Sequence, residues 1–320
     1  MKLRGVEFGS IFCAPGALGF FGEGYPWHRL WKLFGMDWSG TSFVAKTTTM
    51  SARLGNMPLR KDGITPKEVS PRCIIVKPCS GHVLNAVGLA GPGAKVLFDC
   101  GGWQQRTDAF MLSFMSVANS PEERLAETKQ FVGLVACHLP TFKGRVALQA
   151  NRACPNTGHP PDEFYAETAE MLDILSVLDI PIMVNYNPTV PGDVMVATAE
   201  HQACDGLWIA NTIPWGDLRI NWEAIFGTTT SPLHKRNLPI SGGGGLSGPA
   251  CLAHTVERVL EARRLGITKP VVAGNGIQRA SGVDLLRNAG ADAVAIGCVG
   301  MVRPWRMKSI INRANSYGRK

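Results

Sequence analysis

From about residue 140 onward, short runs rich in Val and Ile alternate with segments that have the periodicity of helices. Strands of four to eight residues separated by helices are typical of βαβ units, which build a parallel sheet. The predicted strands of this part are Arg145–Ala150, Ile180–Asn185, Gly206–Ala210, Pro270–Ala273 and Ala293–Ile296. The predicted helices lie near Asp162–Leu178, Val194–Cys204, Pro249–Leu265, Ser281–Ala289 and Pro304–Ala314.

The first half of the chain adds candidate strands at Ile11–Ala14, Phe43–Lys46 and Met111–Met115. A helix is predicted to begin near Pro121, because acidic residues follow it and suit the positive end of a helix dipole. Eight strands with helices between them in 320 residues suit a (β/α)8 TIM barrel. We therefore expect an α/β fold in a single domain, residues 1–320. A doubly wound open sheet is the alternative, but its early G-x-G-x-x-G loop is missing.

Composition excludes several classes of protein. Hydrophobic residues make up 45% of the chain, too many for a disordered protein, and no apolar stretch is long enough for a membrane helix. The net charge of +8 comes without a long Lys/Arg block, so we expect an acidic small molecule as ligand, and no nucleic acid. The nine cysteines form no C-x-x-C pair, which predicts no metal site and reduced thiols. Glu7 and Pro15 interrupt any signal-peptide core, so a cytoplasmic location without membrane contact is expected.

Polar side chains stand at the ends of four predicted strands: Lys46, Asn151, Asn185 and Asn211. In a β/α barrel the carboxyl ends of the strands surround the active site. A buried amide costs free energy unless it is hydrogen-bonded, so one such Asn can simply hold a loop. Four at one rim instead predict a binding site there.

The densest signal is the segment Asn151-Arg-Ala-Cys-Pro-Asn156. Asn151 ends a strand, Cys154 lies on the following turn, and Asn156 offers a second amide. Such a segment can bring two amides and a thiol to one polar ligand. Cys154 can also be read as a small residue that fills a loop.

Glycine-rich segments follow the late strands, at Ser241–Gly248, Gly274–Gly276 and Gly297–Cys298. Glycine lets main-chain N–H groups approach an anion closely, and phosphate sites after the seventh and eighth strands are common in barrels. These segments therefore predict a ligand that bears a phosphate, rather than flexible linkers.

The chain resembles the dihydroorotate dehydrogenase family, the FMN-dependent barrel enzymes of pyrimidine synthesis. The resemblance is carried, in order, by Ala14–Gly16, Lys46–Thr49, Arg53–Arg60, Asn85–Leu89, Asn151–Asn156, Asn211–Thr212, Gly244–Gly248 and Ala293–Gly297. It covers nearly the whole chain. The Asn-x-x-Cys-Pro-Asn and Gly-Gly-Leu-Ser-Gly pieces are its most specific parts.

The resemblance implies oxidation of dihydroorotate to orotate, with the FMN at the carboxyl end of the barrel. The implied cofactor contacts are Ala14, Gly16, Lys46, Asn151, Asn185, Gly245, Gly276, Gly297 and Cys298. The implied substrate contacts are Lys46, Asn85, Gly88, Leu89, Asn151, Asn156, Asn211 and Thr212. Cys154 matches the catalytic base of the family's soluble class, with Lys46 as a second catalytic residue. Members of that class are often homodimers, and some carry an electron-transfer subunit.

The chemistry of the residues agrees with this reading. The reaction removes a proton and a hydride from neighbouring ring carbons, and amino acids supply no hydride acceptor, hence a flavin. A thiolate can take the proton, and Lys46 can lower the pKa of Cys154 while offering a counter-charge to the substrate carboxylate.

Several features depart from the family pattern. Asn185 stands where the family has a Lys that supports the negative charge of the reduced flavin. Arg152 could compensate, although consecutive strand residues point to opposite faces. The Trp-rich segment 20–38 has no assigned counterpart and is predicted to cover the barrel. Two alternatives stay open: a flavin-binding relative that acts on another dihydropyrimidine or is catalytically impaired, and a non-redox barrel that binds a phosphorylated molecule.

Overall fold

The computed structural model describes residues 1–155, 161–240 and 242–319. The strands are β1 Lys2–Leu3, β2 Val6–Glu7, β3 Ile11–Cys13, β4 Ile74–Lys77, β5 His82–Asn85, β6 Phe110–Phe114, β7 Val146–Asn151, β8 Ile182–Tyr186, β9 Gly206–Ile209, β10 Ile213–Pro214, β11 Gly245–Ser247, β12 Val271–Gly274 and β13 Ala293–Ile296. The α-helices are α1 His28–Leu33, α2 Ala94–Asp99, α3 Pro121–His138, α4 Pro161–Ala166, α5 Thr168–Ser176, α6 Gly192–Glu200, α7 Trp222–Phe226, α8 Pro249–Arg264, α9 Ala280–Asn288, α10 Val299–Val302 and α11 Met307–Ser316. Short 3-10 turns cover Leu139–Thr141, His234–Arg236, Pro304–Arg306 and Tyr317–Arg319.

Seven parallel strands form one sheet in the order β3-β13-β12-β9-β8-β7-β6. The segment 42–48 lies between the two outer strands and closes the sheet into a barrel. It makes parallel bridges from Ser42 to Phe12 in β3, and from Val44 and Thr48 to β6. The eight-stranded (β/α)8 barrel predicted from the sequence is therefore confirmed.

The closing segment differs from the continuous strand predicted at Phe43–Lys46. The amides of Ala45 and Thr48 donate to carbonyls of β6, but the amide of Lys46 donates to the carbonyl of Gly19 instead, at 2.9 Å. This bond draws the main chain out of the ladder, so the eighth strand is held by isolated bridges.

The helix predicted near Asp162–Leu178 is divided into α4 and α5. The carbonyl oxygen of Phe164 accepts from the guanidinium of Arg152 and from the hydroxyl of Thr168 at 3.0 Å. A carbonyl engaged by side chains tends to bend a helix, and here the break falls at Glu167. The predicted start of α3 at Pro121 is confirmed, since Ser120 and Glu123 form a capping box there.

The barrel interior is packed with side chains, and the hairpin β1–β2 closes its amino end. Leu3 and Phe8 of this end pack against interior residues that include Met183, Trp208 and Phe12. Burying side chains such as Leu3 and Phe8 stabilises the fold by about 1.5–3 kcal/mol each. The opposite, carboxyl end is left to build the site.

A second sheet of four antiparallel strands, in the order β10-β11-β5-β4, lies over the carboxyl end. Gly245 in β11 faces Asn85 in β5, and Leu246 faces Ile213 in β10. The sequence predicted only a glycine-rich loop at 241–248; the described residues Gly245–Ser247 are instead a central strand. This sheet brings Asn85 and Thr212 towards the barrel mouth. In the part of the chain that is described, none of the helices combines the length and apolar character that a bilayer crossing requires.

Candidate active site

A cavity of about 230 Å³ opens at the carboxyl end of the barrel. Its wall includes most of the predicted site residues: Ala14, Gly16, Lys46, Asn85, Leu89, Asn151, Cys154, Asn185, Asn211, Thr212, Gly297 and Cys298. The barrel strands supply the floor, and the antiparallel sheet supplies one side. Residues far apart in the chain therefore meet in one place, as the strand-end pattern predicted.

Residues 20–38, called the roof segment below, cover this cavity. Tyr25, Trp27, His28, Met36 and Trp38 all line it. Tyr25 stacks on Trp27 with ring centroids 4.6 Å apart, and its hydroxyl donates to the carbonyl of Gly16 at 2.7 Å. The roof is thus tied to the loop after β3, and it gives the cavity an aromatic ceiling.

Three described residues of the prediction, Gly88, Gly245 and Gly276, are not part of this wall. Asn156 is outside the described residues. The carbonyl of Gly88 accepts from Arg53 at 2.9 Å, one residue from the cavity wall at Leu89. Gly245 is packed so closely that a Cβ there would be 2.0 Å from the Thr212 hydroxyl oxygen. Gly276 lines an adjoining small cavity.

A hydrogen-bonded chain fixes the amides of the floor. Asn211 Nδ2 donates to Asn151 Oδ1 at 2.9 Å, and Asn151 Nδ2 donates to Thr47 Oγ1 at 3.3 Å. The chain continues through Ser113, whose hydroxyl is 2.8 Å from that of Thr47 and donates to Gln149 Oε1 at 3.0 Å. Each amide therefore has one orientation before any ligand arrives, which favours selective binding of a polar ring.

Lys46 is the side chain among the described cavity-lining residues that can carry positive charge at neutral pH. It is buried, its ammonium donates to the carbonyl oxygen of Ala90, and it lies 4.6 Å from the centre of the Phe20 ring. Burial lowers the pKa of Lys46 from 10.5 to about 8, partly opposed by the charge of Glu23. Burial likewise lowers the pKa of His28 to about 4, which keeps that ring neutral.

Cys154 is half-buried and packs among Leu89, Met115, Phe164 and Val117 while it also lines the cavity. An apolar surrounding of this kind shields a thiol from water on one side and leaves the other side open to a ligand.

Arg152, two residues earlier, points away from the cavity. Its guanidinium bonds to the Phe164 carbonyl and to Glu167 Oε2, at 3.4 Å, in the helical layer. The hypothesis that Arg152 compensates for Asn185 is therefore wrong, because side chains alternate along the strand that leads into the turn.

The adjoining cavity, of about 40 Å³, is lined by Ser247, Asn275, Gly276, Ile277, Gly297 and Cys298. Asn275 adopts a left-handed conformation, and its side chain bonds to the main chain of Asn211, Leu246 and Gly248 at 3.0–3.2 Å. A Cβ on Gly276, whose φ is +106°, would lie 2.7 Å from the carbonyl oxygen of Gly248. Burial raises the pKa of Cys298 to about 11, so this thiol is neutral. The glycines keep this cradle open for a small anionic group.

Several polar atoms of the cavity wall have no hydrogen-bond partner among the described residues. They are Trp27 Nε1, Trp38 Nε1, Asn185 Oδ1 and Trp208 Nε1. Buried polar atoms are normally paired, so unpaired ones in a cavity wall favour a polar ligand between roof and floor. Sequence reasoning missed Trp208, because a large apolar residue inside a strand resembles any core position.

No family model matches the chain. Curated proteins, however, match it over most of its length. The chain is 30% identical over 304 residues to the dihydroorotate dehydrogenase B (NAD⁺) catalytic subunit of Bacillus caldolyticus, covering 92% of this chain and 83% of the relative. It is 31% identical over 301 residues to the protein of the same name from Anoxybacillus flavithermus, with the same coverage.

Among solved structures, ligand-free dihydroorotate dehydrogenase from Eimeria tenella superposes with a TM-score of 0.67 over 98% of this chain and 85% of the other, at 15% identity. The same enzyme in complex with ferulenol gives a TM-score of 0.66, with 98% and 83% coverage at 15% identity. At this identity the likeness concerns the fold, and it agrees with the closed barrel described above.

Proposed function

Because this chain belongs to the dihydroorotate dehydrogenase family, we propose that it oxidises dihydroorotate to orotate in pyrimidine biosynthesis. The observation that carries the proposal is the single cavity in which pre-oriented amides, the Lys46 ammonium and the Cys154 thiol meet. A non-redox phosphate-binding barrel would need none of the floor amides in this arrangement.

The family is one of flavoproteins, and we assign FMN as the flavin of this chain, bound in one domain that spans residues 1–320. Asn185 Oδ1 and Trp208 Nε1, which have no partner within the residues that the structure describes, fit a heterocycle with donors and acceptors on its edge, and the Gly276 cradle fits a phosphate. The residues that would hold FMN are Ala14, Gly16, Lys46, Asn151, Asn185, Gly245, Gly276, Gly297 and Cys298. When bound, it supplies the hydride acceptor that the side chains lack.

The substrate would lie on the amide floor. We assign its contacts to Lys46, Asn85, Asn151, Asn156, Asn211 and Thr212, with the main chain of Gly88 and Leu89. The Lys46 ammonium offsets the charge of the substrate carboxylate, and a bound anion in turn favours the protonated form of Lys46. The amides hold the ring in one orientation, which is catalysis by positioning.

Cys154 is the residue that we assign as the base. As a thiolate, its Sγ takes the proton when the C–H bond of one ring carbon breaks, while the neighbouring carbon gives up a hydride. Phe164, Leu89 and Met115 surround the thiol, which limits access of water to the transferred proton.

We infer a homodimer, together with an electron-transfer subunit that links the chain to NAD⁺, in the cytoplasm. The name of the relatives, each a catalytic subunit of an NAD⁺ enzyme, supports the partner subunit and NAD⁺; the homodimer and the location follow the pattern of the soluble class. The alternative, a relative that acts on another dihydropyrimidine or turns over poorly, is supported by Asn185. This uncharged side chain lines the cavity and would not offset the negative charge of a reduced flavin.

The deciding experiment is anaerobic mixing of the purified protein with dihydroorotate. We expect a yellow protein with bound FMN whose flavin absorbance bleaches as orotate appears in equal amount. Dihydrouracil and dihydrothymine are the controls. Bleaching by one of these two compounds but not by dihydroorotate would show that the substrate is another dihydropyrimidine. A colourless protein without flavin would contradict the proposed function altogether.

A further inference from the structure

Trp208 is fully buried inside the barrel, and its indole N–H has no acceptor among the described residues. The residue lies in β9, its ring meets Phe12 edge to face at 5.1 Å, and it lines the floor of the main cavity. Most of the Trp208 ring therefore packs in the hydrophobic core, and the residue also lines the cavity that the roof segment covers.

Two tryptophans that do not line the cavity have a partner for their indole N–H. Trp103 Nε1 donates to the carbonyl of Phe20, and Trp222 Nε1 donates to the carbonyl of Asp217 at 3.0 Å. An N–H taken from water without a new acceptor destabilises the fold. The indole of Trp208, like those of Trp27 and Trp38, instead lies at the ligand cavity, so a ligand is the natural partner.

An acceptor with the same deficiency lies beside it. Asn185 in β8 is the direct register partner of Trp208 in β9, and its Oδ1 likewise has no hydrogen-bond partner in the described part of the chain. Its Nδ2 makes only a long contact of 3.5 Å to Gln149 Oε1. Parallel-strand register partners point to the same face, so a residue with a free donor and a residue with a free acceptor, counted among the described residues, are neighbours on the floor.

A neighbouring donor and acceptor complement a ring edge in which a carbonyl adjoins an N–H. The pyrimidine part of a flavin has such an imide edge. We propose that the Trp208 indole N–H and Asn185 Oδ1 bind the imide edge of the flavin, which makes Trp208 a cofactor-binding residue. The inference rests on the proposed function, because it requires a flavin in this cavity.

The pair is uncharged, which has a chemical consequence. A hydrogen bond from Trp208 supports a ring carbonyl in both oxidation states, but a neutral donor offsets less of the negative charge of the reduced ring than a cation would. The site then binds oxidised FMN with good selectivity and gains little extra affinity for the reduced form.

The first test is made on wild-type protein with its tryptophans labelled with ¹⁵N and its flavin removed. On addition of FMN, we expect the indole N–H resonance of Trp208 to move downfield, as a new hydrogen bond demands. The resonances of Trp103 and Trp222 are internal controls, since both indoles already have partners. The Trp208 resonance is assigned by its loss in Trp208→Phe.

The second test compares FMN dissociation constants of wild type, Trp208→Phe and Phe12→Leu. We expect Trp208→Phe to weaken binding about tenfold, equal to about 1.4 kcal/mol. Phe12→Leu removes packing against the same ring but no polar atom, so its dissociation constant is expected to stay near that of wild type.

The outcomes separate the two levels of the argument. Wild-type protein that binds no FMN overturns the proposed function. Two results would overturn this inference alone. One is that wild-type protein binds FMN without a shift of the Trp208 indole resonance; the other is that Trp208→Phe and Phe12→Leu weaken FMN binding equally.

Discussion

The guanidinium of Arg152 is bonded to the main-chain carbonyl oxygen of Phe164, with Nε at 3.0 Å. The link joins the end of β7 to α4, and the chain between them carries Cys154. Both ends of the segment that carries Cys154 are thereby held by one buried side chain, which also forms an ion pair with Glu167.

We predict that Arg152→Met lowers the rate of flavin reduction by dihydroorotate and the free energy of unfolding. The Phe164 carbonyl and one oxygen of Glu167 lose a donor, a loss of about 1–3 kcal/mol. Urea unfolding measures the stability, and stopped-flow absorbance measures the rate. Arg152→Lys keeps the positive charge but loses the planar guanidinium that reaches both the Phe164 carbonyl and Glu167, so it should recover stability only in part. An unchanged rate in a clearly destabilised Arg152→Met would limit the link to folding.

Cys154→Ser is expected to slow flavin reduction at neutral pH by about 100-fold or more, because a hydroxyl is a far weaker base than a thiolate. The measurement is single-turnover bleaching of the flavin as a function of pH. Cys137→Ser is the matched control, since that thiol is exposed on α3. A Cys154→Ser protein that reacts at the wild-type rate would remove the thiol from the proton step.

Asn185→Lys should raise the midpoint potential of the bound flavin. A charged hydrogen bond contributes about 1.5–3 kcal/mol, which corresponds to about 30–60 mV for a two-electron couple. Redox titration with indicator dyes gives the value. Asn288→Lys adds the same charge on the exposed end of α9 and should leave the potential unchanged. Equal potentials in wild type and Asn185→Lys would separate this residue from the ring.

Lys46 should make the stability of the flavin-free protein depend on pH. Its pKa is about 8 in the folded protein and 10.5 when unperturbed. Between these values the unfolded chain binds more protons, so stability from this group rises with pH across the window. Below pH 8 the buried charge costs about 3 kcal/mol in full. Unfolding midpoints of wild type and Lys46→Met should therefore converge from pH 8 towards pH 10. A constant difference would mean that Lys46 keeps its usual pKa.

Strand-end reasoning predicted which polar residues lie together, because the topology of a barrel brings the carboxyl ends of its strands to one rim whatever the conformation of the loops. Lys46, Asn151, Asn185 and Asn211 all line one cavity. The five late strands were predicted to within two residues at each end, since buried parallel strands appear in sequence as continuous apolar runs.

Other parts carried no local signal. The sheet of β4, β5, β10 and β11 is built from strands of two to four residues, and β11 begins within a run of glycines that normally indicates a loop. The direction of the Arg152 side chain followed from alternation, but its partner Glu167 lies at the break between α4 and α5, which the sequence did not predict. The unpaired indole of Trp208 depends on what surrounds it, which periodicity does not encode.

The closing segment at 42–48 has a final consequence. This segment is the least connected strand of the barrel, because the amide of Lys46 donates to the carbonyl of Gly19, just before the roof segment, and not to a neighbouring strand. We expect a ligand that binds the Lys46 ammonium also to hold this strand in place, so that ligand binding and ordering of the barrel closure occur together. Amide hydrogen exchange at 43–48 should therefore slow on FMN addition more than exchange in β12 or β13. Such a result would mean that the flavin-free protein opens locally at the closing segment.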